Sequence, residues 1–212
     1  MISASFLGIK DHLKENLHIL DQTNISYLHF DIMDGKFVSN ETWHVSDLLP
    51  FIQDLKKPFD VHFMVEDVST YIAEFDVIDP EYMTFHIEAT DNPKETIMKI
   101  KHTGSKVGVS IKPSTSIDTI LPYLDQIDLV LVMSVEPGAG GQSFLEDSLS
   151  KIEKLNQIRE EQQYSYLIEV DGGINPITKK QCEQKGADLF VVGSFITNVA
   201  PEDYQKQIDQ LS

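Results

Sequence analysis

The chain is poor in cysteine, poor in basic residues and free of long apolar runs. A single cysteine, Cys182, excludes an intramolecular disulfide. It stands in Lys179-Lys180-Gln181-Cys182-Glu183, one side of an expected helix, so a structural thiol is expected rather than a reactive one. Basic residues number 17 against 34 acidic ones, a net charge of −17. That balance argues against nucleic acid and against an anionic membrane as partners, because both need a basic face. It suits a solvated surface that aids solubility. No segment is long and apolar enough to span a membrane, and Met1-Ile2-Ser3-Ala4-Ser5 has no basic region of the kind that opens a signal peptide. A cytoplasmic enzyme is the expectation. Nucleotide fingerprints are missing too. Leu7-Gly8-Ile9-Lys10 is not the glycine pattern of a dinucleotide fold, and the glycine-rich segment near residue 140 does not match a P-loop.

What is present is a regular alternation. The 212 residues suffice for one domain, residues 1–212, with a substantial core. Strand-like runs occupy residues 2–6, 27–33, 59–65, 82–89, 106–111, 129–135, 166–170 and 188–195. Helical spacing of apolar residues marks 10–24, 46–55, 93–102, 144–160 and 176–185. The last opens on Asn175, a good N-cap, with Pro176 at the first helical position, and stops at Gly186. Strands alternating with helices imply a parallel sheet, and eight strand–helix units imply a TIM (β/α)8 barrel with short loops.

In a strand, residues i and i+2 share a face, so His29 and Asp31 stand on one wall of the second strand near its C-terminal end. His62 lies near the end of the third strand and Asp171 at the end of the seventh. The C-terminal mouth of the barrel is where the active site of this fold lies. Two histidines and two aspartates there suit one divalent metal ion: zinc, ferrous iron, manganese or cobalt. Two carboxylates across a bound carbonyl are equipment for moving a proton. Met33, Met64 and Met133 also fall near strand ends; Met33 shares parity with His29, and Met64 with His62. They can form an apolar, polarisable wall. Gly138, Ala139, Gly140 and Gly141 suit a mobile lid. Gly172, Gly173, Gly193 and Ser194 end strands seven and eight, the usual phosphate position in a barrel. His86 and Glu88 are expected to support structure rather than act directly. Asp34, of opposite parity to Asp31, is expected to fix its own turn.

The segments Ser3-Ala4-Ser5-Phe6-Leu7, His29-Phe30-Asp31-Ile32-Met33-Asp34-Gly35, Asp60-Val61-His62-Phe63-Met64, Met133-Ser134-Val135-Glu136-Pro137-Gly138, Gly140-Gly141-Gln142, Glu169-Val170-Asp171-Gly172-Gly173-Ile174 and Gly193-Ser194 resemble the ribulose-phosphate 3-epimerase family nearly end to end. The resemblance implies a TIM barrel with one divalent metal that interconverts D-ribulose 5-phosphate and D-xylulose 5-phosphate. It implies His29, Asp31, His62 and Asp171 as metal ligands, and Asp31 and Asp171 as the acid and base. It further implies that Ser5 and His62 contact substrate, that the three methionines flank an enediolate, that residues 138–141 cover the sugar, and that backbone at Gly172, Gly173, Gly193 and Ser194 holds phosphate. A homo-oligomer is expected. The chain departs from the family pattern at Ala4, Lys36, Ser39, Lys112, Ala139 and residues 195–198, none of them an implied ligand. The same chemistry on D-allulose 6-phosphate is the nearest rival. Aldol or decarboxylation chemistry would need a lysine in an Asp-x-Lys pattern, but Asp31 is followed by Ile32 and Met33. A non-catalytic sugar-phosphate-binding barrel would have lost catalytic groups, and none is lost.

Overall fold

The strands read as nearly continuous apolar runs because both of their faces are buried. In the computed structural model, which describes residues 1–211, these strands are β1 (Ile2–Ser5), β2 (Tyr27–Met33), β3 (Phe59–Met64), β4 (Tyr82–His86), β5 (Lys106–Ile111), β6 (Leu129–Met133), β7 (Leu167–Asp171) and β8 (Leu189–Val192). They pair in parallel and in chain order, and β8 returns to β1, closing the barrel. Around it lie α1 (Leu13–Asp21), α2 (Val45–Ile52), α3 (Val68–Phe75), α4 (Pro93–Thr103), α5 (Ser148–Gln162), α6 (Pro176–Gln184), the single turn α7 (Ser194–Thr197) and α8 (Tyr204–Asp209).

Strand parity sorts the core into two parts. Outward residues such as Phe30, Phe63, Val109, Val132 and Val170 join Leu17, Leu20, Leu48, Ile72, Ile100 and Leu155 of the helices in the main apolar layer. Inward, Tyr82, Leu129, Leu131, Met133 and Leu189 form a smaller cluster. Met33 and Met64, with Val38, form a third small apolar cluster toward the mouth. Between them the interior is polar: Ser3, His29, Asp60, His62, Thr84, Ser110 and Glu169 are all buried.

Several elements differ from the sequence expectation, among them α8, which no expected helix covers. The segment after β5 forms two short 3-10 turns, Ile117–Thr119 and Leu121–Tyr123, instead of an α-helix. Pro122, within the second turn, has no backbone N–H for an α-helical ladder. The fourth strand ends at His86 because Ile87–Ala89 turns into a 3-10 helix. The eighth ends at Val192, and residues 194–197 form α7. α3 was not foreseen; Asp67 caps it by accepting from the Thr70 amide. α6 has the expected start, with the Asn175 side chain accepting from the amides of Ile177 and Thr178. Cys182 is buried on it, and burial, with the nearby Glu183 charge, pushes its thiol up to about 12, as befits an inert thiol.

Gly108 shows how closely the interior is filled. Its register partner is Thr84, and a Cβ at Gly108 would stand 2.0 Å from Thr84 Oγ1 and 2.8 Å from Thr84 Cβ. Gly108→Ala should therefore lower stability by about 1–3 kcal/mol in urea unfolding, the usual cost of overpacking. Adding Thr84→Ala should recover part of that loss. An unchanged midpoint for Gly108→Ala would show that the barrel has room there.

Candidate active site

Parity turns His29, Asp31 and Met33 of β2 inward, together with Asp60, His62 and Met64 of β3 and Glu169 and Asp171 of β7. Register then sets the neighbours: Asp31 pairs with His62, and His29 with Asp60. His29 Nε2 lies 3.5 Å from Asp31 Oδ1. His62 Nδ1 lies 3.7 Å from the same oxygen and 3.8 Å from Asp171 Oδ2. One ligand atom from each of the four residues falls within 4.8 Å of all the others.

These separations exceed a hydrogen bond. They approach the roughly 3–3.5 Å between neighbouring donors that each stand about 2.0–2.2 Å from a shared ion. His29 Nε2 and His62 Nδ1 are buried and have no hydrogen-bond partner. Buried polar atoms without partners are rare. A divalent cation accounts for both, so the cluster fits a divalent metal site.

The supporting bonds orient each ligand. His29 Nδ1 donates to Asp60 Oδ2 at 2.7 Å, and Ser3 Oγ donates to that oxygen at 2.8 Å. Nε2 is thereby left for a metal. Ser5 Oγ donates to Asp31 Oδ2 at 2.7 Å, leaving Oδ1 toward the cluster. His62 Nε2 lies 2.9 Å from His86 Nε2, so the His86–Glu88 pair supports the site from behind, as expected. Asp34 fixes its turn, also as expected: it accepts from the amides of Lys36, Phe37 and Glu66.

The environment drives chemically similar groups apart. In the metal-free protein burial alone would lower the His29 pKa, but the charges of Asp60 and Asp31 raise it well above the usual histidine value. Burial pushes the His62 pKa down. Burial opposes ionisation of Asp31, yet the charge of His29 holds it below the usual carboxylate range. Asp171 is pushed up to about 7, by burial and then by the Asp31 charge. Glu169 is raised well above the usual range by burial and by Asp60.

Above the cluster lies a cavity of about 310 Å³. Ser5, Asp31, Met33, Met64, Met133, Gly138, Ala139, Gly140, Gly141, Asp171, Gly172, Gly173, Gly193 and Ser194 all line it. His29 and His62 lie sealed beneath it, at most 1% exposed, and are not among its lining residues. Gly138 and Gly173 of the upper wall meet close neighbours, whereas a Cβ at Gly140 or Gly141 would meet nothing within 4 Å. Gly138 has φ +113°, and a Cβ there would come within 2.9 Å of Val38. Gly173 has φ +63°, and a Cβ there would lie 2.5 Å from the Phe144 amide nitrogen. The segment 136–142 is fastened by two amides. Asn40 Nδ2 donates to Gly138 O at 2.7 Å, and Gln142 Nε2 donates to the carbonyls of Glu136 and Ala139.

Sequence reasoning missed Asp60 and Glu169, although each stands two residues before a chosen ligand and shares its parity. It also missed Leu7, Gly8, Val191 and Asn198 as lining residues. Val191 carried a signal, being two residues before Gly193.

Residues 1–197 match the model of the family described as the Ribulose-phosphate 3 epimerase family. The chain belongs to that family. It is 40% identical over 194 residues to the ribulose-phosphate 3-epimerase of Treponema pallidum (strain Nichols), covering 92% of this chain and 87% of the relative. It is 38% identical over 196 residues to that of Methanocaldococcus jannaschii, covering 92% and 83%. Among solved structures, KGPDC from Streptococcus mutans superposes with a TM-score of 0.68 at 18% identity, covering 99% of this chain and 96% of that one. A mutant tryptophan synthase alpha-subunit from Pyrococcus furiosus gives 0.70 at 14% identity, with the same coverages. These two likenesses are of fold. Among the described residues, no helix is long and apolar enough to cross a membrane.

Because His29 is charged without metal and Asp171 titrates at about 7, metal binding must release protons. Affinity should rise with pH across neutrality, by about tenfold per pH unit for each proton released. Metal titrations at about pH 6, 7 and 8 check this. An affinity independent of pH would contradict the charge assignments.

Proposed function

We propose that this member of the ribulose-phosphate 3-epimerase family is a metal-dependent epimerase that interconverts D-ribulose 5-phosphate and D-xylulose 5-phosphate. One observation carries the reading. Asp31 from β2 and Asp171 from β7 converge on one cavity, directly over two buried histidines whose free ring nitrogens face them. The family relatives at 38–40% identity carry the same name. His29, Asp31, His62 and Asp171 hold the ion, and the mixed imidazole–carboxylate set suits zinc, ferrous iron, manganese or cobalt. When bound, such a cation supplies positive charge that stabilises a developing enediolate.

The chain supplies the remaining chemistry. One aspartate accepts the proton from C3 on one face of the sugar. The other delivers a proton to the opposite face. Their strands, β2 and β7, are three steps apart around the ring through β1 and β8, which sets the carboxylates on different walls. Ser5 fixes the rotamer of Asp31 through its 2.7 Å bond. Met33, Met64 and Met133 line the cavity with apolar, polarisable surface that leaves the enediolate no competing proton donor. Backbone at Gly172, Gly173, Gly193 and Ser194 receives the phosphate, and residues 138–141 exclude water from above.

Asp31→Asn and Asp171→Asn should each lower kcat by about 10²–10⁴-fold, because a carboxamide cannot accept the C3 proton. A coupled assay for xylulose 5-phosphate measures this. Near-normal turnover by either variant with metal bound would overturn the two-carboxylate mechanism. Ala139 stands in the cavity wall where the family resemblance calls for phenylalanine. Ala139→Phe should therefore change kcat/KM unequally for pentulose and hexulose phosphates and leave metal affinity unchanged. Equal responses would remove residue 139 from the specificity determinants.

A further inference from the structure

His86 is fully buried behind His62, on the side away from the metal cluster. The two Nε2 atoms stand 2.9 Å apart, so one ring donates a proton and the other accepts it. Either direction satisfies that contact taken alone. The far end of the chain decides it. His86 Nδ1 lies 3.2 Å from Glu88 Oε2. The other oxygen, Glu88 Oε1, accepts from the Lys112 amide at 2.9 Å and from the Thr115 hydroxyl. Burial opposes ionisation of Glu88, but these hydrogen bonds hold its carboxyl down at about 2. The group is therefore a carboxylate, both oxygens accept, and a lone pair on His86 Nδ1 would be repelled by it. The His86 proton therefore sits on Nδ1, and its Nε2 is left as the acceptor. His62 must donate from Nε2, so its Nδ1 faces the cluster bare.

We propose that His86 and Glu88 are positioning residues for the metal ligand His62, selecting the ring nitrogen that it presents to the ion. The inference rests on the metal-site reading above. It explains why the two histidine ligands use opposite nitrogens. Asp60 takes the Nδ1 proton of His29, whereas His86 takes the Nε2 proton of His62. It also gives roles to residues outside the cavity. Lys151 Nζ donates to the carbonyls of Lys112, Pro113 and Thr115, pinning the segment that brings both donors to Glu88. Residue 112 enters this chain through its backbone amide, and the Lys112 ammonium stands 3.8 Å from the centroid of the Phe37 ring. Phe37 packs on His86 with ring centroids 4.9 Å apart and limits rotation of the ring.

The test measures cobalt(II) affinity of the purified chain by competition with a chromophoric chelator, and the His62 tautomer by long-range proton–nitrogen NMR of the metal-free protein, where no ion fixes it. His86→Phe should weaken cobalt binding by about 10–100-fold, the usual cost of losing such a partner. His86→Gln, whose amide oxygen can accept from His62 Nε2–H, should recover most of the affinity. Glu88→Ala should weaken binding and lose the pure Nε2–H signature of His62. Thermal melts report folding. If His86→Phe does not fold, Glu88→Ala at the more open end of the chain decides the matter by the same two readouts. Wild-type affinity together with an unchanged His62 tautomer in the folded variants would overturn the inference alone. A wild-type chain that binds no cobalt(II) would overturn the metal-site reading beneath it.

Discussion

The pleat of eight parallel strands closed into a ring governs the mouth of this protein. Every second residue must point inward, and the register of each strand sets how deep it sits. A slip of one residue in β2 would turn His29 and Asp31 outward beneath the helices and put Phe30 and Ile32 inside. The outer layer resists that slip. Phe30 meets Phe6 edge to face at 4.9 Å, and Phe63 of β3 meets Phe75 of α3 in the same manner at 5.6 Å. Ordinary aromatic packing on the outside thereby holds β2 and β3 in the one register that pairs Asp31 with His62.

The interior this produces is costly. Asp31, Asp60, Glu169, His29 and His62 are all buried, and removing one partner from a buried ion pair typically costs about 3–5 kcal/mol. The arrangement offsets the cost in two ways. His29 stands between Asp60 and Asp31, so its positive charge serves both carboxylates. Glu169, below, is held in its neutral form and faces the already charged Asp60. A bound divalent cation would replace the proton on His29 and meet the charge of Asp31 and Asp171 together. Occupancy of the site and stability of the barrel are therefore coupled: an ion at about 100 times its dissociation constant adds about 2.7 kcal/mol.

Much of this could be read in the sequence, for a definite reason. Parity places His29 and Asp31 on one wall without any knowledge of neighbouring strands, and turn residues such as Asp34-Gly35 and Asp171-Gly172 mark which end is the mouth. Depth along the barrel axis is different. That Asp60 supports His29, and that Glu169 sits below it, follows only from the register between β2, β3 and β7, which no single strand displays. Contacts between distant loops were equally hidden: Asn40 and Gly138, 98 residues apart, meet only because the barrel closes. α3 was legible from its Asp67 cap and the spacing of Val68, Ile72 and Phe75, a pattern comparable to that of the equally short α2. The turns after β5 carried no helical spacing to be read, and the crossover there covers the sheet with two 3-10 turns, because the cover need not be an α-helix.

The central claim is that two carboxylates on opposite walls move the C3 proton of a ketose phosphate. Running the reaction with D-ribulose 5-phosphate in deuterium oxide and reading the product pool by NMR tests it most directly. The account predicts deuterium at C3 alone, with D-xylulose 5-phosphate formed. Deuterium at C1, or xylulose 5-phosphate formed with no deuterium at all, would contradict it.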